Sequence, residues 1–154
     1  ELNKLSTEIE TDASTVWKTL TDYSKLPTFV KGMTLSSVVK EDGYKKLVQQ
    51  TGILRILFFK KEFTVLLRVH EKFPKSITMT QVEGDFDHFS AKYDINHTGK
   101  NQVRLTWEGT LKPSFYMPPI IGKRLISKSI KKQFCDVISE IIIRNNNKQK
   151  ISEK

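Results

Sequence analysis

The sequence predicts an α+β protein in which a curved antiparallel sheet wraps around one long C-terminal helix. Three observations point there. Between Pro118 and Arg144, the residues Ile126, Ile130, Phe134, Val137, Ile138, Ile141 and Ile142 recur at the spacing of one helical face. From Met33 to Leu111 the apolar residues instead alternate, broken at turn residues. The breaks are too short for parallel crossovers, so successive strands are expected to form a meander of hairpins.

The elements follow in order. Leu2 to Ile9 alternates weakly and reads as a first strand. Asp12 suits an N-cap before Val16, Trp17 and Leu20, which recur at helical spacing. Ser24 to Val30, with Pro27 in its early turns, reads as a second short helix ended by Gly32. Leu35, Ser37 and Val39 then alternate, Glu41-Asp42-Gly43 turns the chain, and Tyr44 to Thr51 returns as far as Gly52. Phe63, Val65, Leu67 and Val69 share one face of the next strand, which Phe73-Pro74 terminates. Ile77, Met79, Gln81 and Glu83 share a face of another. Phe89, Ala91, Tyr93 and Ile95 do the same before the turn at Gly99-Lys100-Asn101. Val103, Leu105, Trp107 and Leu111 complete the last strand, giving the order β-α-α-β6-α. Pro119 fits a first helical turn, where its missing N–H costs nothing. A helix of about 25 residues is roughly 37 Å long and can enclose a cavity against such a sheet. Residues 1–144 therefore read as one domain, and 145–154, a polar stretch, as a disordered tail.

Composition bounds the function. With 154 residues, 38% hydrophobic and 28% charged, the chain is that of one soluble globular core. No apolar run approaches the roughly 20 residues needed to span a bilayer. Cys135 is the single cysteine, so no intramolecular disulfide forms. The chain opens on Glu1 rather than Met, which keeps a removed leader, and hence either a cytoplasmic or an exported location, open. The net charge of +9 is concentrated late: residues 113–154 hold nine Lys and Arg against Asp136, Glu140 and Glu153. Such an excess favours an anionic partner, whether a membrane surface, an RNA or an acidic protein.

The layout and two motifs resemble a known superfamily. The stretch Val16-Trp17-Lys18-Thr19-Leu20-Thr21-Asp22-Tyr23-Ser24-Lys25-Leu26-Pro27-Thr28-Phe29-Val30 is similar to the signature of the polyketide cyclase/dehydrase and coenzyme-Q-binding branch of START-like, birch-pollen-allergen-like proteins. Val82-Glu83-Gly84-Asp85-Phe86, with Phe89 three residues on, resembles a second segment of that branch. The resemblance covers roughly residues 5–143 and implies the helix-grip fold with a ligand cavity. One departure is Tyr93, where many relatives carry a tryptophan, which changes the polarity expected inside. The superfamily includes lipid carriers, hormone receptors, cyclases and ribosome-associated toxins, so it implies a cavity rather than one activity.

Alternation then names the expected lining. Leu67, Val69, Met79, Phe89, Tyr93, Leu105 and Trp107 share the inward phase with Gln81 and Glu83, and Ile126, Ile130 and Phe134 face them from the helix. For any one of these residues, plain core packing is a simpler explanation than ligand contact. Glu83 is expected at the rim, either orienting a ligand hydroxyl or carbonyl or pairing with Arg104 or a turn amide. Lys123 and Ser127 fall near the helix start, where a mouth would lie. The run Arg55-Ile56-Leu57-Phe58-Phe59-Lys60-Lys61 brackets apolar residues with cations, as membrane-contacting segments do. Lys123, Arg124 and Lys128 extend that basic surface, and Pro118-Pro119-Ile120-Ile121 flank it.

Catalytic signals are thin. His70, His88 and His97 are dispersed, and neither a glycine-rich phosphate loop, a serine elbow nor a metal-spaced set occurs, so no cofactor is expected. The leading expectation is a carrier or chaperone of a hydrophobic molecule: a quinone, isoprenoid, acyl chain or phospholipid. The alternatives are a polyketide aromatase/cyclase, and an interaction protein that binds RNA or the ribosome through its basic helix.

Overall fold

The computed structural model describes residues 2–56 and 58–152. Glu1, Leu57 and the tail residues Glu153 and Lys154 lie outside the described residues, as do the side chains of Ile56 and Phe59. The elements are β1 (Leu2–Ile9), α1 (Ala13–Leu20), a 3-10 turn (Tyr23–Lys25), α2 (Leu26–Phe29), β2 (Met33–Asp42), β3 (Lys45–Ile56), β4 (Phe59–Lys72), β5 (Ser76–Gly84), β6 (Phe86–Gly99), β7 (Gln102–Pro113) and α3 (Pro119–Ser152). The strands form one antiparallel sheet in the order β1-β7-β6-β5-β4-β3-β2. Strands β2 to β7 are the expected meander, and β1 closes onto β7 with Leu5 opposite Trp107.

Each element has a local cause. Asp12 caps α1, accepting the Thr15 N–H at 2.7 Å. Val16 and Leu20 then point into the core. Asn101 takes a left-handed conformation (φ 55°) in the β6–β7 turn, a role that asparagine fills readily. The inward faces of β3, β4 and β7 supply Val48, Leu67, Val69, Val103 and Leu105, all nearly inaccessible, and Ile141 of α3 packs with them. Edge strand β2 carries register shifts at Met33/Leu35 and Val38/Lys40. Such irregularities blunt an open sheet edge against pairing with other chains.

The structure differs from the expectations in three places. The alternation through Glu83 breaks because β5 bulges: Leu67 opposes Gln81 but Leu66 opposes Glu83, leaving Val82 extra. One added residue reverses the faces, so Glu83 points outward and is exposed. Gly84 completes this bend at φ 151°, where an added Cβ would sit 2.6 Å from the Thr64 carbonyl oxygen. Second, Ile142 is 46% exposed rather than in the core, because the helical face narrows toward Ile141 and Asn145. Third, the helix does not stop at Arg144. It continues to Ser152, and Asn145 is buried, accepting from the Thr11 hydroxyl at 3.0 Å and donating to the Glu10 carbonyl at 3.3 Å.

Two further ties hold α3 to the start of the chain. Arg144 bridges Asp22 (2.9 Å) and Glu140 (2.8 Å) while lying over the Phe29 ring. Lys148 pairs with Asp12.

Candidate ligand cavity

Between the inner face of the sheet and α3 lies a cavity of about 170 Å³. Of the residues expected to line it, Leu67, Val69, Met79, Phe89, Tyr93, Trp107, Ile126, Ile130 and Phe134 are brought together there. Four are not. Leu105 is wholly buried in the core beneath the cavity. Gln81 instead clamps the β5–β6 turn, donating to the Phe86 carbonyl at 2.7 Å and accepting the Phe86 N–H at 3.3 Å. Glu83 is turned outward by the bulge, and Arg104, its expected partner, bonds Glu8 at 2.6 Å instead. Ser127 leaves the stripe and reaches Asn3 at 3.3 Å.

The structure adds a wall that alternation alone does not reveal. Leu20, Tyr23, Leu26 and Val30 close the cavity from α1, the 3-10 turn and α2. Their apolar spacing was visible in the sequence, but only the tertiary fold turns the helical pair over this end of the sheet. Toward the other end Gly52, Leu54 and Phe63 of the β3–β4 arm join Leu111, Pro113 and Ile126. A side chain at Gly52 would meet the tip of the Phe63 ring at 2.7 Å, so the glycine leaves room for that ring. Gly109 does the same for Trp107, whose ring edge would be 2.6 Å from an added Cβ.

The polar groups around the cavity differ in how they are satisfied. The Tyr23 hydroxyl donates to Glu71, whose other oxygen accepts from Lys46 at 2.6 Å. Burial first, then that neighbouring carboxylate, raise the Tyr23 hydroxyl well above the usual phenol range. Gln50 donates to Ser36 at 3.3 Å, and Thr51 shares a hydrogen bond with Thr64 at 3.2 Å. Tyr93 is raised by burial alone. Tyr93 is half-buried and lines the cavity.

The expected membrane segment forms the tip of the β3–β4 arm. Phe58 is fully exposed there, with Arg55 and Lys60 exposed beside it. Lys61 is half-buried, its Nζ 5.3 Å above the Phe115 ring, which joins the arm to the β7–α3 connection. Tyr116, Ile120 and Ile121 are exposed on that connection and the first turn of α3. Lys123, Arg124 and Lys128 are exposed on the following turns and, with Ser127 and Lys131, line a shallow basic depression. Among the described residues no helix is long and apolar enough to cross a membrane.

Comparison with known proteins agrees with this geometry. The chain superposes on a Thermus thermophilus protein with a TM-score of 0.77 at 14% identity, covering 94% of this chain and 99% of that one. A START superfamily protein of Mycobacterium smegmatis gives 0.78 at 11% identity, with 91% and 96% covered. The ZhuI aromatase/cyclase of Streptomyces sp. R1128 gives 0.78 at 12%, with 94% of both chains covered. At such identities these likenesses show the fold alone. None of the curated proteins compared matches the chain. Residues 9–136 match the family described as polyketide cyclase/dehydrase and lipid transport. With its seven-stranded sheet gripping one long helix, the chain belongs to that family and has the START-like helix-grip fold.

Proposed function

We propose that the protein carries or chaperones a compact hydrophobic molecule in the cavity beneath α3. The observation that supports this best is a space of about 170 Å³ lined mostly by apolar side chains and, among the described residues, by no charged one. Packed interiors rarely keep such a void, and an apolar cavity of about 150 Å³ elsewhere stays dry and takes up benzene. That scale narrows the expected ligands. A ring system, a short isoprenoid or the end of an acyl chain fits, whereas a whole phospholipid requires the walls to move apart. Binding draws on apolar burial at about 25 cal/mol per Å².

The β3–β4 arm and the start of α3 form the proposed entrance and membrane-facing surface. Phe58, Tyr116, Ile120 and Ile121 supply apolar contact, and Arg55, Lys60, Arg124 and Lys128 supply cations. Each cation contributes about 1 kcal/mol near an anionic leaflet. The exposed apolar residues among these cations favour a lipid surface over RNA. An aromatase/cyclase reading, which expects Glu83, Tyr93 or another polar group at the reacting carbon, loses Glu83 to solvent and keeps Tyr93 on the cavity wall.

Organic extraction of the purified protein followed by mass spectrometry tests the cargo. A stoichiometric hydrophobic molecule is expected, and repeated recovery of none from several hosts overturns the reading. Co-sedimentation with phosphatidylserine vesicles tests the surface. Phe58→Ala combined with Lys60→Glu should weaken binding severalfold, and an unchanged bound fraction removes the membrane role.

A further inference from the structure

The cavity wall contains neither acid nor base. Among the described residues lining it there is no Asp, Glu, Lys, Arg or His. A carboxylate or phosphate entering would lose its hydration and meet no counter-charge. The wall nevertheless holds hydrogen-bonding groups with nothing to bond. Tyr93 on β6 and Trp107 on β7 lie directly opposite each other in the sheet. Neither the Tyr93 hydroxyl nor the Trp107 indole N–H bonds to any described residue, whereas Tyr23, Gln50 and Thr51 around the same cavity are all satisfied. Ser129 and Gln133, one turn apart on α3, line the cavity equally unpartnered.

The chemistry of the pair has a sign. An indole N–H only donates. A phenol is protonated at neutral pH, and burial shifts Tyr93 further that way, so it too has a proton to give. Two neighbouring donors in an uncharged, apolar enclosure match a neutral oxygen acceptor.

We propose that the cavity selects an uncharged ligand bearing a carbonyl oxygen, an aryl or alkyl ketone or ester, which accepts hydrogen bonds from Tyr93 and Trp107. This rests on the reading of the cavity as a ligand site and assigns its substrate class. The ligand's apolar body lies against Leu67, Val69 and Phe134, and its carbonyl turns toward the β6–β7 pair. Fatty acids, whose carboxylate is ionised at neutral pH, are excluded from this orientation.

Acetophenone, isopropylbenzene and benzoate share one ring and nearly one size, and differ in carrying a ketone, no polar group or a charge. Titration of each at pH 7, followed through the Trp107 indole N–H resonance, separates the terms. Acetophenone should bind about tenfold tighter than isopropylbenzene, the factor that one satisfied neutral hydrogen bond supplies. It alone should move the indole signal downfield, and benzoate should bind at least about tenfold more weakly than isopropylbenzene. Tyr93→Phe should lower acetophenone affinity severalfold while leaving isopropylbenzene unchanged, which also shows that the variant is folded. Equal affinities for ketone and hydrocarbon, or tightest binding of benzoate, overturn the assignment while leaving the cavity a ligand site. Failure of all three to bind, with no cargo extracted, refutes the ligand site itself and this assignment with it.

Discussion

Asn145→Ala probes whether the end of α3 is part of the domain. Asn145 is 9% exposed, and Thr11, whose hydroxyl it accepts, is fully buried. Truncation removes that bond and the one to the Glu10 carbonyl, and leaves the Thr11 hydroxyl in the interior with no acceptor. A buried donor stranded in this way costs about 1–3 kcal/mol, more than the net worth of either bond alone. For a chain of this size about 2 kcal/mol corresponds to a Tm lowered by roughly 4–8 °C. Urea and thermal unfolding, followed by circular dichroism, measure both. Thr11→Val in the same chain should recover part of the loss, since it removes the orphaned group, and that non-additivity identifies the pair as the cause. Deletion of residues 145–154 should cost at least as much as Asn145→Ala. If the point variant and the deletion both leave stability within about 0.5 kcal/mol of the parent, the docking of this last segment is refuted.

Three other outcomes follow from the geometry. Burial works against the charge on Asp12, but hydrogen bonds from Lys148 and Thr15 outweigh it and hold its carboxyl at about 2, below 3.8. Its contribution is therefore complete above about pH 4 and lost as the pH falls toward 2; Lys148→Ala should move the Asp12 titration, read by carboxyl NMR, upward toward 3.8. Gly109→Ala places a methyl 2.6 Å from Trp107 and 3.1 Å from the Ser90 carbonyl oxygen, so the ring must shift toward the cavity. A stability loss of about 1–3 kcal/mol with weakened binding of small aromatics is expected, and full binding at unchanged stability contradicts it. Glu71→Ala strands the Tyr23 hydroxyl and leaves Lys46, whose side chain is 13% exposed, with the longer 3.6 Å pair to Glu41 alone. A loss of about 3 kcal/mol is expected on denaturation, and a silent variant shows that the Tyr23 anchor is dispensable.

Much of the architecture was legible because alternation and helical spacing are local signals. Phe63, Val65, Leu67 and Val69 on β4, and Val103, Leu105 and Trp107 on β7, needed no knowledge of their partners. Glu83 escapes the alternation because β5 bulges at Val82, which Leu66 and Leu67 skip; Gly84 is the local mark of a bend there, but it does not say which residue is extra. Asn145 reads as tail for a similar reason. A polar triplet before Lys148 carries a disordered signature, and only Thr11, 134 positions earlier, turns it into a buried contact. Gln81 shows the limit within the site itself: its inward phase was right, yet its amide is spent on the backbone of Phe86. Apolar lining follows phase, whereas the fate of a polar group depends on partners that phase does not name.

The pairing of β1 with β7 sets a timetable for assembly. The hairpins from β2 to β7 join segments close in sequence, so they can form as the chain emerges. The inner face they create stays bare until α3 covers it, and Ser6 meets Thr106 only across 100 positions. Thr11 waits longer still, for Asn145. A nascent chain therefore exposes its apolar concave face from the completion of β7 until α3 docks, the interval in which chaperone capture or self-association competes with closure. The proposed cargo, if met in that interval, reaches the inner face before it has a lid, a physical route distinct from entry into the finished protein.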